Sequence, residues 1–131
     1  MEAELALAPD PASAAVARVL VDETLPGWGC DELRENARLV ITELVSNAVR
    51  HAGPPIEMLL ELRPRALRLA VTDGDTGDLP HRMSEPRPPS WTDLGGRGLL
   101  IVGELADEWG VEPGVHGGKV VWAEWRLPLG S

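Results

Sequence analysis

One stretch near the middle of this 131-residue chain limits the folds open to it. Leu33, Ala37, Val40, Ile41, Leu44, Ala48 and Ala52 recur at helical spacing. They predict an amphipathic helix whose apolar stripe must lie on a core. Asp31 is the expected cap, and Gly53-Pro54-Pro55 ends the helix. Glu43, Asn47 and His51 follow one another at intervals of four and stack on a different face. A carboxylate, an amide and an imidazole in one row have two readings. They form the solvated side of an amphipathic helix, or they line a site. In the second case the amide oxygen of Asn47 is a hard ligand of the kind Mg²⁺ accepts, and Glu43 lies one turn from whatever the metal holds.

Upstream, Leu5 and Leu7 alternate with Glu4 and Ala6, which suits a brief edge strand. Asp10-Pro11 opens a helix with Asp as N-cap and Pro in its first turn. That helix is expected to run to about Leu25, with Ala12, Ala15, Val16, Val19, Leu20 and Glu23 on its face and Arg18 pointing elsewhere. Downstream, Ile56–Leu62 and Leu67–Asp73 are strands joined by a turn at 63–66. Strand parity puts Asp73 on the side of Leu67, Leu69 and Val71, so a carboxylate is aimed into an apolar layer. There it must find a partner or serve as a turn aspartate in Asp73-Gly74-Asp75-Thr76-Gly77.

Residues 76–95 hold Pro80, Pro86, Pro88 and Pro89 and read as a long lid or insert. Gly95-Gly96-Arg97-Gly98 then opens an apolar helix from Leu99, an arrangement that can present backbone N–H groups to an anion or act as a simple turn. It fits neither the Walker pattern nor the dinucleotide fingerprint, since Ile101 stands at the third glycine. Trp109–Glu112 and Lys119–Leu127 complete a second hairpin, with Val121, Ala123, Trp125 and Leu127 on one side. Trp122 and Trp125 are expected to pack within the sheet. The order helix, helix, hairpin, lid, helix, hairpin predicts one domain over 1–131. Its architecture is an α/β (α+β) two-layer sandwich, with a mixed but mostly antiparallel sheet covered by three helices.

Composition narrows the function. A net charge of −9 argues against a nucleic-acid or anionic membrane surface, which requires clustered Lys and Arg. It does not exclude a small phosphate held by backbone N–H groups and a metal. Cys30 is the single cysteine, so an internal disulfide and a thiolate zinc site are both excluded. With no signal peptide and no long apolar run, the expected location is the cytoplasm.

Three signals occur in a telling order: Glu43 to Asn47 on a helix, Asp73 at a strand end, and Gly96 to Gly98 opening a helix after a lid. This order resembles the Bergerat ATP-binding fold of the GHKL superfamily. Glu43-Leu44-Val45-Ser46-Asn47-Ala48 is similar to its N box, Asp73–Gly77 to its first glycine box, and Gly96-Arg97-Gly98-Leu99 to its second. Histidine kinases need a dimerisation helix pair, and gyrase-type and chaperone relatives need further domains. A stand-alone domain of this size therefore most resembles the anti-sigma-factor serine/threonine kinases, above all the small actinobacterial ones.

That resemblance implies ATP and Mg²⁺ as cofactors. It assigns Asp73 to the adenine amino group, so that ATP outcompetes GTP, and Asn47 to the metal. Gly77, Gly96, Arg97, Gly98, Leu99 and His51 would contact the nucleotide. Glu43 would be the general base toward a serine on a partner, and Arg18 a partner contact. The implied partners are a sigma factor and its anti-anti-sigma antagonist, and a homodimer is left open. Two features depart from the family pattern: Asp75 replaces a glycine, and the late Thr of the last strand pair is not evident, Gly118-Lys119-Val120-Val121 having Val instead. The rival function is a non-catalytic ATP-binding regulator that acts by protein–protein contact.

Overall fold

The computed structural model describes residues 1–51, 55–74, 98–114 and 118–128. In chain order the elements are β1 (Glu2–Leu7), α1 (Ser13–Thr24), two short 3₁₀ turns (Pro26–Trp28 and Asp31–Leu33), α2 (Arg34–His51), β2 (Ile56–Arg63), β3 (Ala66–Asp73), α3 (Gly98–Leu105), β4 (Glu108–Pro113) and β5 (Lys119–Arg126). The strands form one sheet in the order β1-β2-β3-β5-β4. Every pairing is antiparallel, so among the described residues the mixed character expected of the sheet is missing. Helices cover one face, which makes the two-layer α+β sandwich.

Alternation explains the sheet. In β3, Leu67, Leu69, Val71 and Asp73 face the helices. Ala123 and Trp125 of β5 and Ile56, Met58 and Leu60 of β2 join them. From α2 come Ala37, Val40, Ile41, Leu44, Val45 and Ala48, all buried. The expected stripe is thus correct, with Leu33 at its margin and Val45 added; Ala52 lies outside the described residues. β1 is an edge strand, as its brief alternation suggested.

Three local expectations are corrected. The first helix begins at Ser13, not at Pro11: Asp10 Oδ1 accepts from the N–H of Ala12 at 2.7 Å and shapes the turn before the helix. Its buried side is Ser13, Ala14, Ala17 and Val21, whereas Ala12, Ala15, Val16, Val19 and Glu23 are exposed and only Leu20 of the expected face touches the core. The inner positions are small because α1 packs closely on α2, so hydrophobic bulk marks the wrong side. Asp31 does not cap α2 either; it starts a 3₁₀ turn whose N-cap is Cys30. Among the described residues no helix is long and apolar enough to cross a membrane.

Candidate functional site

The second half of α2 carries the row that drew attention in the sequence. Glu43 and Asn47 are both half-buried, one turn apart. Asn47 Oδ1 is shielded from solvent and has no hydrogen-bond partner among the described residues. A buried carbonyl oxygen left unmet costs on the order of 1–3 kcal/mol, which a structural role does not explain. His51 is the last residue of α2; its side chain lies outside the described set.

Asp73 ends β3 and is buried, as strand parity predicted. Its partner is Lys119, whose Nζ lies 2.7 Å from Oδ2. The two residues are directly opposed in the β3–β5 register. A buried carboxylate stripped of its cation would cost several kcal/mol, roughly 3–5, so the pair holds this end of the sheet together. Gly118 seats the lysine. Its φ of +70° suits glycine, and a Cβ there would collide with the carbonyl oxygen of Asp73.

Three elements converge on the Asp73 end of the sheet. The Glu57–Thr72 pair places Ile56 at that end, and only four residues separate Ile56 from His51, so the C-terminal half of α2 ends nearby. The direction of α3 follows from two contacts. Trp125 Nε1 donates to the carbonyl of Leu105 at 2.7 Å, fixing the C-terminus of α3 at the far end of β5. Two residues earlier, Gly103 lies against Trp109, which pairs with Ala123. Moving back along α3 therefore moves toward Lys119 and Asp73, and the N-terminus at Gly98 points to the same end. A helix N-terminus offers unsatisfied N–H groups and a positive dipole.

The C-terminal half of α2, with Glu43 and Asn47, thus runs toward the end of the sheet where Asp73 lies and the start of α3 at Gly98 points. Gly77, Gly96 and Arg97, with Asp75 and the expected lid, lie outside the described residues, as does the side chain of Leu99. Arg18 is half-buried on α1, where Nη1 donates to Thr42 Oγ1 at 3.0 Å. Lys119 was missed in the sequence, although parity with Val121, Ala123 and Trp125 would have found it. The residue that faces Asp73 from the last strand is Lys119. Val120 pairs with Thr72 and alternates to the other face.

Donor chemistry fits a nucleotide-borne magnesium. Asn47 offers one unmet hard oxygen, and among the described residues no cluster of three His, Cys, Asp or Glu could hold a metal by itself. Such an ion would share Asn47 with the phosphates it accompanies. A separate cavity of about 330 Å³, lined by Trp28, Cys30, Leu62 and Arg63 among others, sits at the hairpin end of β2 and β3, away from Asp73.

Comparison with known proteins agrees with this geometry. The family model described as "Histidine kinase-like ATPase domain" matches residues 7–125. No curated protein matches the sequence at a significant level. Among solved structures, the chain is similar to that of the RsbU and RsbW domains of Rv1364c from Mycobacterium tuberculosis, with a TM-score of 0.68 at 21% identity. The match covers 98% of this chain and 33% of that one, so the chain spans about a third of its structural relative.

Proposed function

The chain belongs to the histidine kinase-like ATPase domain family, within the GHKL superfamily, and on that premise we propose that it is an ATP-dependent serine/threonine kinase of the anti-sigma-factor type. It would phosphorylate a serine of an anti-anti-sigma antagonist and sequester a sigma factor, working in the cytoplasm. The observation that carries the nucleotide reading is the buried, unmet Oδ1 of Asn47, one turn after Glu43. The RsbW-domain likeness of the fold supports the choice of kinase class.

Each residue has a physical task in this reading. Asp73 accepts an N–H from the nucleobase at the floor of the site. Asn47 places its amide oxygen where a metal-bound phosphate would lie. Backbone N–H groups at the start of α3 serve the phosphates, and Gly77, Gly96, Arg97, Gly98, Leu99 and His51 keep the nucleotide contacts that the family resemblance implies. ATP with Mg²⁺ supplies the γ-phosphoryl group and offsets the negative charge on its oxygens. Glu43 takes the proton of the partner's serine hydroxyl as its oxygen bonds to the γ-phosphorus and the bond to the β-phosphate oxygen breaks, releasing ADP. Positioning and charge neutralisation do most of this work, so few side chains are required.

The partner side is supported by the outer face of α1. Val16 and Val19 are about half exposed, at 48% and 51%, next to exposed Ala12 and Ala15. An apolar strip of this kind suits a protein contact, with Arg18 beside it. The same strip also favours the second reading, a regulator that binds ATP and acts by contact alone. Transfer of labelled γ-phosphate to a candidate antagonist separates the two. Kinase activity predicts label on a serine, lost in Glu43→Ala with ATP affinity kept. No transfer despite tight ATP and partner binding would leave the contact-only regulator.

A further inference from the structure

We propose that Thr42 is a positioning residue for Glu43 and that Arg18 holds it in place, so that α1 sets the aim of the base on α2. This rests on the reading of Glu43 as the group that takes the hydroxyl proton. Four half-buried residues close a polar ring across the seam between the two helices. Arg18 Nη1 donates to Thr42 Oγ1 at 3.0 Å, and Thr42 Oγ1 donates to the carbonyl of Arg38 at 2.7 Å. Arg38 Nη1 returns to Asp22 Oδ2 at 2.8 Å. Arg18 and Asp22 lie one turn apart on α1, as Arg38 and Thr42 do on α2.

A threonine hydroxyl carries one hydrogen, and here it is spent on the carbonyl four residues back. In an α-helix that carbonyl also receives the N–H of residue 42, so this second bond tilts it and bends the helix locally. The guanidinium of Arg18 donates to the oxygen of the same hydroxyl, which keeps its hydrogen turned to Arg38 and strengthens that bond. Without Arg18 the hydroxyl is free to rotate, and the bend relaxes. Glu43 is the next residue, so it is the member of the site nearest the bend. Asn47 is a full turn further on, in a stretch pinned to the core by Leu44, Val45 and Ala48. A change at Thr42 therefore re-aims Glu43 while leaving Asn47 in place. Proton transfer to a base falls off steeply with a misplacement of about 1 Å. Arg18 also lies beside the exposed Val16 and Val19 of α1, so a partner that draws its guanidinium away is felt at Glu43.

The test is slow hydrolysis of γ-labelled Mg-ATP by the full chain, with water in place of the partner's serine. The water oxygen bonds to the γ-phosphorus, its proton passes to Glu43, and the bond to the β-phosphate oxygen breaks to release ADP. Thr42→Val should lower kcat by about tenfold and leave the calorimetric affinity for Mg-ATP within about twofold. Thr42→Ser, which keeps the hydroxyl, should restore kcat. Arg18→Ala should match Thr42→Val, and the double variant should fall no further, because both act through one bond. Asp22→Asn weakens the other tie across the seam; it should lower the urea midpoint and spare kcat. A readout without turnover runs beside these. The carboxyl resonance of Glu43 in the ligand-free chain should move in Thr42→Val and Arg18→Ala and stay put in Asp22→Asn. An unchanged kcat in folded Thr42→Val overturns the proposal, as does an equal fall in Asp22→Asn. Should Thr42→Val lose its thermal transition, Arg18→Ala and Thr42→Ser decide. If the wild-type chain turns over no faster than Glu43→Ala, the reading of Glu43 falls, and this inference with it; turnover that needs Glu43 but is indifferent to Thr42 refutes the inference alone.

Discussion

Arg18 and Thr42 join the first two helices: Arg18 Nη1 donates to Thr42 Oγ1 at 3.0 Å, while that hydroxyl donates to the carbonyl of Arg38 at 2.7 Å. A second tie, Arg38 Nη1 to Asp22 Oδ2 at 2.8 Å, crosses the same seam. Arg18 is therefore a structural residue on one side, whatever it meets on the other. Thr42→Val keeps the shape and removes the acceptor. It should lower unfolding free energy by about 1 kcal/mol, read by urea denaturation, and Thr42→Ser should cost less. If Arg18 also touches a partner, Arg18→Ala will weaken partner binding well beyond the effect of Thr42→Val. Equal effects would confine Arg18 to the helix seam.

The outer face of the sheet has its own tight fit. Arg68 stacks over the Trp122 ring at 4.6 Å from its centroid, and the indole lies on Gly110 of the neighbouring strand. A Cβ at Gly110 would stand 2.8 Å from Trp122 Cζ2. Gly110→Ala must displace the indole and break its stack on Arg68. The expected loss is about 1–3 kcal/mol in thermal or urea unfolding, with nucleotide affinity unchanged because Asp73 and Asn47 lie elsewhere. A neutral effect on stability would show that Trp122 is free to move.

Legibility in the sequence followed contrast. The α2 stripe and the β3 alternation could be read because large apolar residues stand against polar ones, and β3 parity alone placed Asp73 in the core layer. In α1 the contrast is reversed. Val16 and Val19 look outward, while Ala14 and Ala17 carry the packing, so periodicity pointed to the exposed side. Lys119 was overlooked for a related reason: a lysine at a strand end reads as solvated until the register shows a buried carboxylate opposite it. The unmet oxygen of Asn47 has no sequence signature beyond its place in the N box, because satisfaction of a hydrogen bond is a property of neighbours.

Cys30 supplies a pH signature away from the site. Its thiol is buried and faces the carbonyl of Trp28, and burial, aided by the charge of Glu32, pushes its pKa above the usual thiol range. The folded chain then holds a proton that the unfolded chain releases. By linkage this contribution is intact below the unfolded thiol pKa of about 8.5 and declines as pH rises through the folded value. Urea midpoints should fall more steeply above that pH for the wild-type chain than for Cys30→Ala, which has no thiol to titrate. Native Cys30 should also react slowly with thiol reagents at neutral pH and rapidly once unfolded. Parallel stability curves for the two chains would refute the shift.

Asn47 gives the sharpest separation of structure from function. A residue kept for stability has its polar atoms met, and Asn47 Oδ1 is unmet among the described residues. Asn47→Ala therefore removes a buried acceptor that nothing satisfies, and the nucleotide-free chain should be no less stable, within about 1 kcal/mol, or should gain. Mg-ATP affinity should fall by about tenfold or more, and the difference between titrations with and without Mg²⁺ should vanish, because on the proposed reading the lost oxygen is the one that would meet the metal. Calorimetry on both chains, beside thermal unfolding without ligand, reads the two effects separately. A variant that melts early yet binds Mg-ATP as before would make Asn47 a packing residue and remove the main support for a nucleotide at this end of the sheet.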